Sequence, residues 1–321
     1  MRPPYQITSK ILESVASISE KIGEINSAYL YKPPRELRKK NKIKTIHSSL
    51  EIEGNSLSIE QITAIFENKR VIAPPKDILE VKNAILVYDK LNDFKLYSLT
   101  SFCKAHAILM QGLVDSPGKL RTKPVGILKG SIVAHVAPPG HMVKSLLKDL
   151  FDYLKKDKDL LLIKSCVFHY ETEFIHPFMD GNGRMGRLWQ TIILKEYSPV
   201  FEFLPVETLI KERQSEYYNV LGQSDNQGNS TSFVEFMLQL INDSLEELLK
   251  TQNVNLTGPD RIMLFKEISG LNPFSRQEYM RHFKDISSST ASRDLKEAVD
   301  KKILVKTGDK RMTRYKFEHP N

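Results

Sequence analysis

Residues 174–187 decide the fold, and they read FIHPFMDGNGRMGR. An apolar helical pattern that contains Val167 and Phe168 leads into this stretch. It must end before Pro177, because the residue ahead of a proline is pushed out of the helical region. A second helical pattern begins at the glycines and continues past Leu188. The stretch therefore predicts two helices joined by a short loop, with a Gly-Asn-Gly sequence at the start of the second helix.

The loop of this stretch has the composition of an anion site. Gly181, Asn182 and Gly183 lie at a helix N-terminus, where free N–H groups and the positive end of the helix dipole favour negative charge. Glycines also let the backbone approach an anion closely. Arg184 and Arg187 are three residues apart, so both leave one helix face beside the loop. Their planar guanidinium groups suit phosphate oxygens, and we therefore expect a phosphate site.

Two further side chains of the stretch can take part in chemistry. Asp180 directly precedes the glycines, where its carboxylate could hold Mg²⁺. His176 is the group there that can act as a general base near neutral pH. A phosphate cradle, a metal carboxylate, two arginines and a base within 12 residues are typical of phosphoryl or nucleotidyl transfer. The alternative is a glycine-rich helix cap with solvated charges.

The composition is that of an ordinary globular protein. With 321 residues, 40% hydrophobic and 27% charged, the chain is not wholly disordered. No apolar run approaches the length of a membrane span, and the first residues lack the apolar segment of a secretory signal. Cys103 and Cys166 lie in apolar helical patterns without the spacing of metal ligands, so we expect reduced core residues. These features predict a cytoplasmic protein with no membrane contact.

Helical periodicity covers most of the first 250 residues, which predicts a mostly α-helical bundle. The exception is 121–139, where β-forming residues around Lys129-Gly130 predict one short β-hairpin. After a stretch that ends in Gly258-Pro259, three short helical patterns precede two strand-like ones, the order of a winged helix-turn-helix. The predicted regions are an N-terminal helical region over 1–95, a core domain over 96–250, a linker over 251–259 and a winged-helix-like domain over 260–321.

Positive charge is concentrated in the C-terminal region. Residues 256–321 hold 14 Lys or Arg and 9 Asp or Glu, so they carry +5 of the chain's net charge of +8. A basic module on a near-neutral body favours contact with an anion such as DNA, through a predicted helix over 288–301 and the hairpin residues Lys310, Arg311 and Arg314. The alternatives are solubility alone, or a protein–protein or dimer contact.

A second short motif lies upstream, at residues 49–54, which read SLEIEG. Ser49 and Glu53 are four residues apart and share one face of a helix predicted over about 42–54. A carboxylate in the last turn is unfavourable beside the negative end of the helix dipole, so Glu53 requires a cation. Considered alone, the motif predicts a charged helix end with a local ion pair.

Both motifs resemble those of the Fic (filamentation induced by cAMP) family. The run His-Pro-Phe-x-Asp-Gly-Asn-Gly-Arg-x-x-Arg over 176–187 matches that family's signature at every specified position, and the similarity covers about 35–245. The resemblance implies a Fic-type helical bundle with a β-hairpin flap. It also implies transfer of AMP from ATP, with Mg²⁺, to a Ser, Thr or Tyr hydroxyl of a target protein that the sequence does not name. Relatives often form homodimers, and a C-terminal winged helix is a common companion.

The resemblance further implies a role for individual residues. His176 would deprotonate the target hydroxyl, and Asp180 would bind Mg²⁺. The residues implied in nucleotide binding are Gly181, Asn182, Gly183, Arg184, Met185, Gly186, Arg187 and, beside the adenine, Tyr218. The flap residues implied in docking the target as an added strand are Ile132, Val133, Ala134, His135 and Val136. Asp225 departs from the pattern, since a relative may carry an adenine-facing Asn at this place.

The Ser-x-x-x-Glu-Gly motif resembles the inhibitory helix of the family's N-terminal class. This resemblance maps Glu53, with Ser49 on the same face, onto Arg187. An Arg187 that is paired with Glu53 cannot receive the γ-phosphate of ATP, which implies an autoinhibited enzyme. Two other functions stay open: removal of AMP from a modified target, with Glu53 orienting a water, and a DNA-binding regulator in which the Fic domain senses nucleotide.

Overall fold

The structure is a computed structural model that describes residues 2–27, 35–129, 132–252, 257–283, 286–309 and 312–318. The chain forms two compact units, Met1–Leu249 and Lys250–Asn321. The elements up to residue 252 are α1 (Ser9–Ser27), α2 (Arg35–Ile52), α3 (Ile59–Phe66), α4 (Pro75–Asp89), α5 (Leu99–Leu109), β1 (Gly126–Lys129), β2 (Ile132–Val136), α6 (Gly140–Lys156), α7 (Leu161–Ile175), α8 (Asn182–Tyr197), α9 (Val206–Glu212), α10 (Gln214–Gln227) and α11 (Thr231–Gln252), with short 3₁₀ helices at Leu91–Asp93 and Pro199–Phe203.

Helices α7 and α8 form the centre of the first unit. Phe102, Phe168, Phe178 and Trp189 are fully buried there, and the rings of Phe102 and Trp189 meet edge to face at 5.1 Å. The same apolar core includes residues of α1, α2 and α4 as well as α11. The mostly α-helical bundle is therefore confirmed, and the predicted N-terminal region and core domain share one core.

Local signals in the sequence explain how α2 and α3 are joined. Helix α2 ends at Ile52, two residues before the predicted end, and Gly54 adopts a left-handed conformation with φ 90°. Glu53 thus lies just beyond the helix. Helix α3 begins with the capping box that the spacing of Ser58 and Gln61 predicts: Ser58 N donates to Gln61 Oε1 at 2.9 Å.

The predicted hairpin is confirmed at the level of the backbone. Strands β1 and β2 pair antiparallel, with Gly126 opposite Val136, and the register shifts between Ile127 and Leu128. Residues 130–131 and the side chains of residues 126–136 lie outside the described part of the chain. The flap positions 132–136 are therefore placed by their backbone alone.

The second unit has its own small core. Its elements are α12 (Gly258–Ser269), α13 (Arg276–His282), α14 (Ser288–Asp300), β3 (Leu304–Thr307) and β4 (Arg314–Phe317). The two strands pair antiparallel, and Phe265, Tyr279, Leu295 and Phe317 are buried between them and the helices. Lys310 and Arg311, two of the predicted DNA contacts, lie outside the described residues.

The linker predicted over 251–259 is too long. Helix α11 continues to Gln252, and α12 already begins at Gly258, where Thr257 caps its first turn through Asp260. Pro259 lies in that first turn, where a residue without an N–H group loses no helical hydrogen bond. The Gly-Pro pair is therefore the start of a helix, and residues 253–256 lie outside the described part.

The sequence predicted two reduced core cysteines, and the structure places them differently. Cys166 on α7 is fully buried, and burial raises the pKa of its thiol to about 12. Cys103 on α5 is also a free thiol and packs against the core, but it is only half-buried, so its predicted position inside the core is met in part. No helix in the described ranges is long and apolar enough to cross a membrane.

Candidate active site

The loop between α7 and α8 is closed by its own side chains. Phe178 N donates to Asn182 Oδ1 at 2.8 Å, and Asn182 Nδ2 donates to Phe178 O at 3.0 Å. The Asn182 side chain is buried, so it braces the loop, and only the backbone of this residue is available to an anion. His176 ends α7 in a left-handed conformation with φ 49° and ψ 61°.

His106 of α5 packs against the loop and supports it, a role that the sequence analysis missed. Its ring stacks on Phe178 with centroids 3.6 Å apart. Gly118 N donates to His106 Nδ1 at 2.8 Å, so the ring proton is on Nε2, which donates to Asp180 O at 2.9 Å. Burial lowers the pKa of His106 to about 4, which keeps this ring neutral. The signal in the sequence that could have identified His106 is its position among the apolar residues of α5.

The N-terminus of α8 faces a carboxylate. The first-turn N–H groups of Asn182, Gly183 and Arg184 have no carbonyl four residues earlier within the helix. A Cβ atom on Gly183 would lie 2.6 Å from Glu53 Oε1 and 3.1 Å from Arg187 Nη1. The Glu53 carboxylate thus occupies the space over Gly183 in which the sequence predicts a phosphate.

Arg187 is held by the segment that contains Ser49 and Glu53. Its Nη2 donates to Glu53 Oε1 at 2.7 Å and to Ser49 O at 2.9 Å, and its Nε donates to Ser49 Oγ at 3.1 Å. Arg187 is 2% exposed, whereas the Glu53 side chain is 29% exposed. Burial opposes the charge of Arg187, but Glu53 and more distantly Glu173 raise the pKa of its guanidinium overall.

Arg184 is held by a different carboxylate. Its Nη1 lies 3.2 Å from Glu80 Oε1 on α4, and its Nη2 lies 3.3 Å from Asp180 Oδ1. Asn55, which follows the Glu53 segment, donates to Glu80 Oε2 at 2.8 Å. Sequence reasoning missed both Glu80 and Asn55, although Glu80 interrupts the apolar face of α4. Both motif arginines are therefore engaged by acidic residues from the N-terminal part of the chain.

Asp180 is the candidate metal ligand, and its side chain is 55% exposed. Its Oδ1 accepts a hydrogen bond from Gly181 N at 2.6 Å. Within the described ranges no group of three or more His, Cys, Asp or Glu residues could hold a metal ion. A single carboxylate still fits Mg²⁺, which in nucleotide sites takes one or two carboxylates and completes its shell with phosphates and waters.

Behind the loop, a buried polar chain joins α7, α8 and α10. His169 is fully buried, with Nδ1 at 2.8 Å from Gln190 Oε1 and Nε2 at 3.1 Å from the Tyr217 hydroxyl. Burial lowers the pKa of His169 to about 3. The Tyr217 hydroxyl in turn donates to Glu173 Oε1 at 3.3 Å. This chain sets the position of Glu173, another residue near Arg187 that the sequence analysis missed.

Three other predicted nucleotide contacts have different surroundings. Met185 is fully buried in the apolar core, so its side chain is not available to a ligand. Gly186 serves close packing, since a Cβ there would lie 2.7 Å from His169 Cδ2. Tyr218 is 40% exposed and packs edge to face on Tyr217. Asp225 accepts a hydrogen bond from the Tyr170 hydroxyl at 2.8 Å.

Comparison with known proteins places this site in a family. A profile of the Fic/DOC family matches residues 96–194. The crystal structure of a Fic family protein from Desulfovibrio desulfuricans G20 is 39% identical, covers 100% of this chain and 99% of its own, and superposes with a TM-score of 0.77. A Fic-1 structure from Caenorhabditis elegans, 20% identical with a TM-score of 0.60, covers 74% of each chain and shows the same fold.

Curated relatives carry names that describe an activity. The protein adenylyltransferase Fic of Nematostella vectensis is 26% identical over 80% of this chain and 60% of its own length. The protein adenylyltransferase fic-1 of Caenorhabditis elegans is 28% identical over 78% of this chain and 49% of its own length. The chain thus spans about half to three-fifths of these relatives. Because the Desulfovibrio Fic family protein is 39% identical and matches along almost its whole length, this chain belongs to the Fic family.

Proposed function

We propose that this chain is a protein adenylyltransferase that transfers AMP from ATP to a Ser, Thr or Tyr hydroxyl of a target protein. One observation carries the proposal: the Glu53 carboxylate lies over Gly183 and pairs with Arg187 on α8, the helix that follows the loop beginning at His176. The site accepts an anion, and a carboxylate stands where a phosphate would bind. The names of the curated relatives support the same activity.

The proposed reaction needs a base beside a triphosphate. The hydroxyl oxygen of the target attacks the α-phosphorus, a new O–P bond forms, and the bond to the oxygen that bridges the α- and β-phosphates breaks. Pyrophosphate leaves, and His176 takes the proton of the hydroxyl, an action that commonly contributes ~10²–10⁴-fold. Arg184, Arg187 and the first-turn N–H groups of α8 offset the phosphate charge. The target would dock as a strand along Ile132–Val136.

Asp180 would hold the Mg²⁺ that accompanies ATP. When bound, this ion neutralises charge on the phosphates. Asp180 contributes an exposed carboxylate directly before the anion loop, and its Oδ1 is oriented by Gly181 N. The nucleotide must supply the remaining ligands, so we expect metal affinity to depend on bound ATP.

We further propose that the Glu53 segment inhibits the enzyme. Glu53 and Ser49 hold Arg187, and the same carboxylate fills the space over Gly183. An ATP molecule that enters this state cannot place its γ-phosphate on Arg187, so its α-phosphorus is misaligned for attack. Release of Glu53 frees both the cation and the N-terminus of α8.

The test compares the positions of the label. Glu53→Gly protein is incubated with Mg²⁺ and lysate or alone, with ATP labelled at the α- or the γ-phosphate. We expect protein labelling from α-labelled ATP only, stronger than in the unsubstituted protein, and abolished by His176→Ala while ATP still binds. Glu51→Gln is the matched control, because Glu51 pairs with Lys211 on the outside of the same segment. Labelling from γ-labelled ATP, or none in Glu53→Gly, would contradict the proposal.

The same assay addresses the reverse reaction. A target labelled by Glu53→Gly protein is purified and incubated with the unsubstituted chain. Stable label supports AMP transfer as the principal activity. Loss of the label only when Glu53 is intact would favour removal of AMP, because Glu53 would then orient the attacking water.

A second candidate function belongs to the second unit, which we propose is a winged helix that contacts DNA. The exposed face of α14 is divided: Ser289, Arg293 and Lys296 occupy its first turns, and Glu297 and Asp300 its last. The N-terminal turns of such a helix are those that reach bases and phosphates. Duplex binding that weakens steeply with salt, and that Arg293→Ala reduces, is expected; salt-insensitive behaviour would favour a protein contact instead. Homodimer formation and a cytoplasmic location stay predictions from the sequence.

A further inference from the structure

Arg121, between α5 and β1, is a buried arginine whose partners are backbone carbonyl groups. It is 3% exposed. Its guanidinium donates from Nε to His176 O at 2.6 Å, from Nη1 to Lys123 O at 2.9 Å, and from Nη2 to Pro138 O at 2.7 Å and Ile175 O at 3.0 Å. Within the described ranges no carboxylate pairs with it, and burial lowers the pKa of the guanidinium. The four carbonyls therefore satisfy a buried charge that is otherwise costly.

One side of this carbonyl cage is the end of α7. Ile175 O and His176 O lie at the negative end of the helix dipole, where a cation is stabilising. The backbone N–H of Arg121 also donates to Pro177 O at 2.9 Å. His176 is a left-handed residue with a Cβ, a conformation that costs about 1–2 kcal/mol and needs support from its surroundings. Arg121 holds the peptide groups on both sides of the proposed base.

The other side of the cage is the hairpin. Lys123 lies three residues before β1, and Pro138 lies two residues after β2, so Arg121 binds one carbonyl on each stem. The guanidinium group is planar and rigid, which fixes the spacing of these stems from the His176 carbonyl. A lysine carries a single ammonium group and cannot reproduce this fork geometry.

We propose that Arg121 is a positioning residue that holds the β1–β2 hairpin in register with His176, so that a hydroxyl docked along the hairpin meets the imidazole. The expected effect of Arg121 on AMP transfer rests on the proposed function, whereas the hydrogen bonds of Arg121 to the four carbonyls do not depend on it. The hydrogen bonds of Arg121 go to backbone carbonyls and not to Arg184 or Arg187 on α8, so we expect its substitution to affect ATP binding little. A displacement of about 1 Å between reacting groups can cost ~10²-fold in rate.

The experiment places Arg121→Lys in the Glu53→Gly background. At saturating ATP we expect turnover in AMP transfer to fall ~10–100-fold, with the Kd for ATP nearly unchanged, and faster amide hydrogen exchange in 126–129 and 132–136. Lys164→Met is the matched control. Lys164 is also a buried cation at a helix end, and it donates to Leu154 O at 3.0 Å and Asp157 O at 2.5 Å, away from the hairpin.

The outcomes separate this inference from the proposed function. Unchanged turnover and exchange in Arg121→Lys, or an equal loss in Lys164→Met, would overturn the role of Arg121. If Glu53→Gly protein transfers no AMP at all, the proposed function fails. Amide hydrogen exchange of the hairpin that becomes faster only in Arg121→Lys would then still support the role of Arg121 in holding the hairpin. Should Arg121→Lys not fold, Pro138→Gly loosens one stem with Arg121 intact, and it must lower turnover without weakening ATP binding.

Discussion

Each unit of the molecule contains a buried arginine paired with a carboxylate, and the two pairs are built differently. In the second unit, Arg261 Nε and Nη2 donate to the two carboxylate oxygens of Asp294 at 2.7 and 3.0 Å. The Tyr279 hydroxyl also donates to Asp294 at 3.2 Å, and Asp294 is 3% exposed. In the first unit, Arg187 donates to Glu53 through one nitrogen only, and Glu53 is partly open to solvent.

This difference indicates which of the two arginines can exchange its carboxylate for another anion. Asp294 lies inside a helix and has both oxygens occupied, so its removal takes two hydrogen bonds and a negative charge away from a buried arginine. Glu53 lies just past the end of α2 and uses one oxygen, so another anion can displace it. The Arg261–Asp294 pair is therefore part of the architecture of its unit, whereas the Arg187–Glu53 pair has the geometry of a regulatory contact.

Asp294→Asn is expected to have the largest effect on stability. Breaking a buried ion pair by removing one charge costs about 3–5 kcal/mol. Trp189, the single tryptophan, reports on the first unit, while circular dichroism reports on the helices of both units. A new early transition in urea should appear by circular dichroism without a shift in fluorescence. Arg314→Gln, which breaks an exposed pair with Glu278, should cost less than about 1 kcal/mol; equal shifts would contradict the comparison.

Glu207 on α9 is a buried acidic residue whose charge interacts with that of Arg187. Burial raises the pKa of Glu207 to about 7, although Arg187 and a hydrogen bond from Tyr88 oppose this. Because the folded pKa lies above the unfolded value, the native state binds the proton more tightly. The resulting stability is fully present below about pH 4.5 and is lost as the pH rises through 7, a change of about 3 kcal/mol.

Glu207→Gln should remove this part of the pH dependence. Urea midpoints followed by Trp189 fluorescence at pH 5 and pH 8 measure it, and the unsubstituted chain should lose more stability between these values than the variant. The residue is not bonded to Arg187, so AMP transfer by the variant should stay under the control of Glu53. Parallel pH profiles in the two proteins would contradict the raised pKa.

Local spacing predicted the features whose partners are close in the chain. Ser58 and Gln61 form their capping box, and the Gly-Asn-Gly loop begins α8, because both depend on residues within one turn. The pairing of Glu53 with Arg187, which lies 134 residues later in the chain, could be predicted only from the resemblance to a family. Gly258-Pro259 was misjudged because the same pair suits a linker and a first helical turn.

The supporting residues of the site could not be predicted in this way. His106, Glu80 and Arg121 contact the motif loop across 74, 104 and 55 residues of chain. His106 and Glu80 are polar side chains on the apolar faces of helices, which signals a buried partner without identifying it. Arg121 lies among Lys119, Thr122 and Lys123 and gives no such signal. The tertiary fold alone decides which carbonyl or carboxylate meets them.

Glu53→Gln is a milder substitution that tests how the Glu53–Arg187 pair differs from the Asp294–Arg261 pair. The substituted amide still accepts a hydrogen bond from the charged Arg187 but carries no negative charge, so the pair should weaken by about 1–2 kcal/mol. That difference corresponds to a rise in AMP transfer of roughly 5–30-fold. The unfolding midpoint should move little, since Arg187 keeps Ser49 and the neighbouring Glu173. A large loss of stability without any gain in transfer would make this pair structural, like that of Asp294.

Ser49→Ala should produce the smallest effect, and it separates the two partners of Arg187. The substitution removes the hydroxyl that accepts from Arg187 Nε at 3.1 Å but leaves the Ser49 carbonyl, which accepts from Nη2. One hydrogen bond is worth about 1 kcal/mol, so transfer by the otherwise unsubstituted chain should rise roughly fivefold in initial-rate assays with α-labelled ATP.

The background of the substitution decides what this rise means. In Glu53→Gly protein the carboxylate is already gone from Arg187 and from the space over Gly183, so Ser49→Ala should add little, because the effects of residues that act on one group are not additive. Ser48→Ala, on the same helix as Ser49, is the control: the Ser48 hydroxyl donates to Thr208 Oγ1 on α9 at 3.3 Å and bonds to neither motif arginine. A fivefold gain that persists without Glu53 would show that Ser49 acts on the site independently, and Arg187 would then not be the point at which the segment regulates the enzyme.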